Sequence, residues 1–239
     1  MATRVVRLDV VDSTNDEAKA LIAEGAAPWT VVVAQKQLSG KGRFGRSWAS
    51  PRGGLYVSVL LEEELDRLPI LSLAASLAVA EALEIWDLPI ALKWPNDVEV
   101  GGAKVAGILV EGLVAPEAYW AVVGIGINSD VSRDKLPRRT DTPATTLRQE
   151  LGGAVDNEEL LRRLLAALRD QLRDLRDPSR VLQAYRDRCT TLGRDVVVQT
   201  REGVLQGRAV TIRESGALVL RRPSGEEVEV TDGTVRELA

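Results

Sequence analysis

The chain reads as α+β, with helices and strands interspersed to about residue 190 and a small β barrel of SH3 type beyond. Three observations predict this. Apolar, β-branched runs of strand length recur through the first 190 residues, between stretches with helical periodicity. One of those helices, residues 71–85, is apolar almost all round, which suits burial against a sheet. After Gly193 the texture changes to short strands separated by Arg-Glu-Gly, Glu-Ser-Gly, Pro-Ser-Gly and Asp-Gly turns.

In chain order, residues 4–10 form a first strand. Asp12-Ser13-Thr14-Asn15 opens a helix that runs to Glu24 and ends at Gly25, with Thr14 and Glu17 spaced as a capping box. Residues 29–34 are a buried, β-branched strand, and residues 35–51, glycine-rich and cationic with no apolar period, form a loop. Residues 54–61 return to strand. After the apolar helix come a strand at 90–94, a hairpin around Gly101-Gly102 joining 98–100 to 104–111, and a strand at 119–127. The polar stretch 128–146 is long for a passive connection and reads as a binding loop or lid. Residues 157–176 form an amphipathic helix with Leu160, Leu161, Leu164, Leu165, Leu168, Leu172 and Leu175 on one face; Pro178 stops it, and a second helix runs to Leu192. Strands follow at 195–200, 203–212, 217–222, 226–231 and 234–237. The domains are therefore 1–190 and 191–239.

Composition narrows the chemistry. The 239 residues include no histidine and a single cysteine, Cys189. A Ser-His-Asp triad, a Cys-His dyad, a histidine-ligated zinc and an internal disulfide are all excluded. The formal charge of −4 argues against nucleic acid as the main partner. No apolar run approaches the ~20 residues that span a bilayer, and no signal-peptide core opens the chain, so a cytoplasmic protein is expected. Any reaction must run on lysine, arginine, carboxylates, backbone N–H groups or a recruited metal ion.

Four segments can carry such chemistry. In Gly40-Lys41-Gly42-Arg43-Phe44-Gly45-Arg46-Ser47-Trp48, glycines let backbone approach an anion while guanidinium groups can grip carboxylate or phosphate bidentately. The same composition suits a flexible cationic surface loop. Lys93-Trp94-Pro95-Asn96-Asp97 closes a buried strand and could read an adenine edge or hold a cation; it equally suits an Asn-Asp turn after a proline. In Lys104–Glu111 a lysine enters an apolar strand, followed by Gly107; this fits a ligand anion or a snorkelling edge lysine. Gly124-Ile-Gly-Ile-Asn128 places glycines inside a strand, where something packs against the backbone. Together the four suggest an anionic ligand lying across a sheet.

Taken in order with Asp12-Ser13-Thr14-Asn15, these segments resemble the biotin protein ligases, in the form without an N-terminal DNA-binding domain. The resemblance spans nearly the whole chain. It implies a class II synthetase-like mixed sheet with helices, carrying the biotin and ATP site, plus the SH3-like C-terminal domain. It implies that biotin and ATP give biotinyl-5′-adenylate and pyrophosphate, with Mg²⁺ on the phosphates. A lysine of a biotin carboxyl carrier protein domain, as in acetyl-CoA carboxylase, then takes the biotin.

Carried over position by position, the resemblance implies that Arg43 lies between the biotin carboxylate and the α-phosphate, with Lys104 on the same oxygens; these two are the catalytic residues. Ser13, Thr14, Asn15, Gln37, Gly40, Lys41 and Gly107 join them in the biotin subsite. Arg46, Trp48, Lys93, Asn96, Asp97 and Asn128 join Arg43 at ATP, and Asp97 is the metal candidate. Lys41 stands where many relatives have arginine, which keeps the charge and loses the bidentate fork. No DNA or membrane role is implied, and the family's pairing through a sheet edge implies a homodimer. The rival readings are a lipoate–protein ligase, with the same fold and adenylate logic, and a non-catalytic biotin-binding module.

Overall fold

The computed structural model describes residues 4–116, 118–137, 143–173, 175 and 177–238. Seven strands make the main sheet: β1 (Val5–Val11), β2 (Val31–Gln37), β3 (Leu55–Glu62), β4 (Ile90–Lys93), β5 (Asp97–Val100), β6 (Ala103–Val114) and β7 (Tyr119–Ile127). Their order is β1-β2-β3-β7-β6-β5-β4. The first pair is parallel because helix α1 (Thr14–Ala23) crosses between them; every other pair is antiparallel.

The two faces of this sheet differ, and the difference places the site. Side chains alternate along a strand. On β7, Val123, Ile125 and Ile127 point into the large core with α2 (Leu68–Leu83), α4 (Asn157–Arg173) and α5 (Pro178–Arg188). The other face carries α1 over a small cluster of Ala18, Val32, Leu60, Trp120 and Val122. Gly124 and Gly126 share that second face, so beyond α1 the sheet is left without side-chain bulk.

Helix α2 is buried along most of its length, as its composition demands. With its flanking 3₁₀ turns, Leu65–Trp86 is 22 residues, with an 18-residue stretch inside it at mean hydropathy 1.7, and is by length and composition able to cross a bilayer. This corrects the expectation that no run approaches that length. The helix is instead packed between the sheet and α4 and α5, where its apolar surface is already covered.

Other differences have local causes. The capping box at Thr14 and Glu17 does not form: Ser13 is the N-cap, without a side-chain cap bond, and the Thr14 hydroxyl faces Gln37 and Ser58. The strand expected from Trp29 begins at Val31, because Trp29 adopts φ 67°. Pro178 opens α5 as well as ending α4, with the Asp177 carboxylate accepting from the Ser179 N–H. Helix α5 stops at Arg188 rather than Leu192. There Cys189 bridges Leu92, and the Thr191 hydroxyl accepts from the Trp94 backbone N–H at 3.1 Å. The expected binding loop or lid at 128–146 contains a 3₁₀ turn at Arg133–Lys135 and leads into the short helix α3 (Leu147–Leu151); its positions 138–142 lie outside the described residues, as do 174 and 176 near the expected end of α4.

Beyond Gly193, strands β8 (Asp195–Gln199), β9 (Val204–Ile212), β10 (Leu218–Arg221), β11 (Glu227–Val230) and β12 (Thr234–Glu237) form an antiparallel SH3-like sheet in the order β11-β10-β9-β8-β12. Contacts from the first domain hold it in place: the Trp94 indole N–H donates to the Gly216 carbonyl at 3.0 Å, and Arg186 Nε on α5 donates to the Ile212 carbonyl at 3.0 Å.

Candidate active site

The cleft lies on the glycine-bearing face, and its floor is set by strand register. Gly126 on β7 sits directly opposite Gly107 on β6, and Gly124 opposite Ser58 on β3. A Cβ at Gly126 would come within 2.4 Å of Trp48 Nε1, and one at Gly107 within 3.0 Å of the same indole. A Cβ at Gly124 would come within 2.3 Å of Asn15 Oδ1. The strand glycines thus make room for one aromatic ring and one amide against the sheet. Among the described residues the buried Trp48 Nε1 has no hydrogen-bond partner. It is a donor held in an apolar setting, suited to a ligand acceptor.

One end of the cleft is a network of neutral hydrogen bonds. The start of α1 brings Ser13, Thr14 and Asn15 to the sheet, where all three are buried. The Thr14 N–H donates to Gln37 Oε1 at 2.8 Å, and Gln37 Nε2 donates to Ser50 Oγ at 2.7 Å. Ser50 Oγ donates in turn to the Trp48 carbonyl at 3.1 Å. Ser58 Oγ lies 2.8 Å from Thr14 Oγ1 and 2.6 Å from Asn15 Oδ1. Such a network suits a neutral ligand head with both donors and acceptors.

The other end is cationic. In the 40–48 loop, Lys41 bridges Ser47, and Arg43–Gly45 makes a 3₁₀ turn with Phe44 in the left-handed region at φ 56°. The Phe44 ring packs beneath the guanidinium groups of Arg43, Arg46 and Arg201 at 5.3, 5.8 and 5.6 Å. Arg43 Nη1 donates to Asn96 Oδ1 at 3.2 Å, and its Nη2 pairs with Asp232 on the β11–β12 turn. Burial pushes the Arg43 guanidinium down to about 10, with Asp97 opposing the shift and Arg46 and Arg201 adding to it. It remains a cation at neutral pH.

Lys104 Nζ lies 2.5 Å from Asp97 Oδ1 and 5.2 Å from the Trp48 ring centroid. Lys93 faces Glu99 at 3.7 Å, where burial raises the Glu99 carboxyl and Lys93 opposes the rise. Arg46 Nη2 donates to Thr234 Oγ1 at 2.9 Å.

The fold brings nearly all the residues singled out in the sequence to this one cleft: Ser13, Thr14, Asn15 and Gln37 at the neutral end, Arg43, Arg46, Lys93, Asn96, Asp97 and Lys104 at the cationic end, with Trp48 and Gly107 between. Lys41 lies on the rim, 2.5 Å from Asp16, whose hydrogen bond raises the Lys41 ammonium. Asn128 lines the cleft but gives its amide N–H to the Thr145 carbonyl at 3.1 Å, tying down the following loop. Gly40 does not line the cleft. It lets the loop close on itself, since a Cβ there would come within 2.5 Å of the Trp48 carbonyl. Around Asp97, and elsewhere among the described residues, no three histidine, cysteine or carboxylate side chains gather as a metal cage.

Sequence reasoning missed Ser58, Ser50, Asp232 and Thr234. The Asp232-Gly233 signal reads locally as a turn, and only the docking of the C-terminal domain carries it to Arg43. Ser58 interrupts the apolar run 57–61 of β3, and that aliphatic hydroxyl was the available signal.

A mixed sheet with a glycine floor, a neutral recognition end and a cluster of cations suits a ligand with a neutral head and an anionic end. The chain belongs to the Biotin/lipoate A/B protein ligase family, which it matches over residues 8–128, and residues 191–235 match the Biotin protein ligase C terminal domain. It is 37% identical to the biotin--[acetyl-CoA-carboxylase] ligase of Paracoccus denitrificans, over 91% of this chain and 94% of that protein. Identity to the ligase of the same name from Mycobacterium tuberculosis is 35%, over 97% and 89%. Among solved structures, the biotin protein ligase of Aquifex aeolicus in complex with biotin and ATP superposes with a TM-score of 0.86 at 32% identity, covering 99% of this chain and 100% of that one.

Proposed function

We infer that the protein activates biotin with ATP to biotinyl-5′-adenylate and transfers biotin to a lysine of a biotin carboxyl carrier domain. The observation that carries this reading is the pairing of Arg43 and Lys104 at one end of a glycine-floored cleft whose other end is a neutral hydrogen-bonding network. Biotin has that division of character: a neutral ureido head and an anionic carboxylate.

In the first step a carboxylate oxygen attacks the α-phosphorus of ATP. A C–O–P anhydride forms, the Pα–O bond to the β-phosphate breaks, and pyrophosphate leaves. Two anions must be held in contact, so the main tasks are positioning and charge stabilisation. Arg43 and Lys104 supply positive charge between carboxylate and α-phosphate, and no protein nucleophile or base is required. The Lys104 ammonium has three N–H donors and can engage the ligand alongside Asp97. Arg46, Lys93, Asn96 and Asn128 serve the nucleotide, with Trp48 walling it. Ser13, Thr14, Asn15 and Gln37 hold the biotin head, while Gly40 and Lys41 shape the loop above it and Gly107 gives the tail room.

A Mg²⁺ ion bound with the ATP phosphates would supply neutralisation of their charge. Asp97 is the cleft carboxylate that would reach it, in keeping with a cation bound through one carboxylate and phosphates. In the second step the neutral amine of the carrier lysine attacks the acyl carbon, AMP leaves, and the amine loses a proton.

We read residues 1–190 as the catalytic domain and 191–239 as a domain that completes the cleft from the β11–β12 turn. The net charge of −4 supports a role without DNA, and the composition supports a cytoplasmic protein. Strand β1 is a sheet edge with Val5 and Val10 exposed, which supports a homodimer; light scattering reads its mass directly. Biotin-dependent release of pyrophosphate from ATP, with lipoate as the comparison substrate, tests the activity itself.

A further inference from the structure

Behind the neutral end of the cleft sits an ion pair that the reaction as described does not use. Lys19 Nζ donates to Glu111 Oε1 at 2.6 Å, and both side chains are 27% exposed. The second oxygen of Glu111 accepts from Asn15 Nδ2 at 2.7 Å. Asn15 is 3% exposed, and its Oδ1 lies against Ser58 Oγ, which is fully buried.

The chemistry of these partners gives the network a direction. An ionised carboxylate only accepts hydrogen bonds, so Glu111 obliges Asn15 to turn its amide NH₂ toward it. The Leu109 carbonyl, 3.5 Å from the same nitrogen, favours the same orientation. The Asn15 oxygen must then face Ser58, and the Ser58 hydroxyl donates to it. With its hydrogen committed, Ser58 Oγ is left as an acceptor toward Thr14 Oγ1, whose single hydrogen goes either there or to Gln37 Oε1 at 3.1 Å. A flipped Asn15 would donate to Ser58, which would then have to donate to Thr14. The amide orientation at position 15 therefore decides whether Ser58 competes with Gln37 for the Thr14 hydrogen or donates to the Thr14 oxygen.

We propose that Glu111, held by Lys19, is a positioning residue for the acid substrate: it orients Asn15 and, through Ser58, sets the hydrogen-bonding polarity of Thr14 at the neutral end of the cleft. The proposal rests on the reading of that end as the biotin-head subsite. It also gives Gly124 a reason, since only a residue without a side chain lets the Asn15 oxygen approach this close to the strand.

The test is E111Q measured alone and in an S58A background. The single variant keeps shape but can present an NH₂ group to Asn15, which favours the flip. Direct titration with biotin should show affinity weakened by roughly tenfold, the scale of one misdirected buried hydrogen bond. The KM for ATP should stay within about twofold, because the cationic end is untouched. S58A breaks the relay between Asn15 and Thr14, so in that background E111Q should weaken biotin by no more than about twofold. A purely structural role would move both ligands' constants together and add its full cost in either background.

Unchanged biotin affinity in E111Q overturns the proposal, as does a tenfold weakening that persists in full in the S58A background. If E111Q fails to fold, K19M takes its place by releasing Glu111: a selective loss of biotin affinity supports the assignment and unchanged biotin affinity overturns it. Wild-type protein that binds no biotin would remove the subsite reading itself, and that control separates the two failures.

Discussion

Replacing Arg43 with methionine should cost the protein its reaction without costing it stability. Only 16% of the Arg43 side chain is exposed. Burial lowers its guanidinium to about 10, whereas an arginine in water stays protonated beyond pH 12. A lowering of that size represents roughly 3 kcal/mol of desolvation that the protein's own groups leave uncompensated. Because the folded-state value is the lower one, this cost is present throughout neutral pH and is relieved only as pH rises through about 10. R43M keeps an apolar stem of similar reach and removes the charge; the desolvation it relieves is offset in part by the lost Asp232 pair and Asn96 hydrogen bond, so its melting temperature at pH 7.5 should stay within a few degrees of wild type. Any wild-type disadvantage should shrink above pH 10. The function of the cation appears only when anions arrive, and losing a preorganised charge donor of this kind slows chemistry by about 10²–10³-fold. Calorimetry without substrate and pyrophosphate release with biotin and ATP measure the two halves. A variant that melts several degrees lower yet still makes and retains adenylate at the wild-type rate would refute the reasoning.

Further expectations concern the floor, the loop and the domain contact. G126A places a methyl group 2.4 Å from Trp48 Nε1 and should displace the indole; biotin and ATP affinities should both fall at least tenfold in titrations, at a stability loss of about 1–3 kcal/mol in urea. The exposed backbone around Gly45 and Arg46 should be cut readily by trypsin in the free protein and protected when biotin or the adenylate binds; equal cleavage rates would argue against closure of this loop. W94F removes the donor to the Gly216 carbonyl and should lower stability by about 1–2 kcal/mol in urea, with adenylate formation weakened as the C-terminal domain loosens.

The parts of the site that were legible in the sequence are those whose chemistry and position coincide in one short segment. Arg43 and Arg46 lie in a glycine-rich loop, and Lys93, Asn96 and Asp97 close a strand, so local pattern was enough to mark both. Gly124 and Gly126 announced a close approach, although only the strand register shows that Asn15 and Trp48 make it. The capping box at Thr14 was misread because helix capping is a local rule, and here Gln37 and Ser58, distant in sequence, compete for the hydroxyl. Trp94 looked like part of a ligand motif, yet its indole N–H is spent on Gly216 across a domain contact. Asp232 was invisible for the same reason, since nothing near an Asp-Gly turn says which surface it will meet.

The central claim is that two cations, Arg43 and Lys104, at one end of a neutral-headed cleft join biotin to ATP. The most direct measurement is pyrophosphate release from ATP by the wild-type chain with biotin, with lipoate and with neither, followed by mass spectrometry of an added biotin carboxyl carrier domain. The account predicts release with biotin alone and a carrier heavier by one biotinyl group. Release that ignores biotin, or that follows lipoate instead, would contradict it.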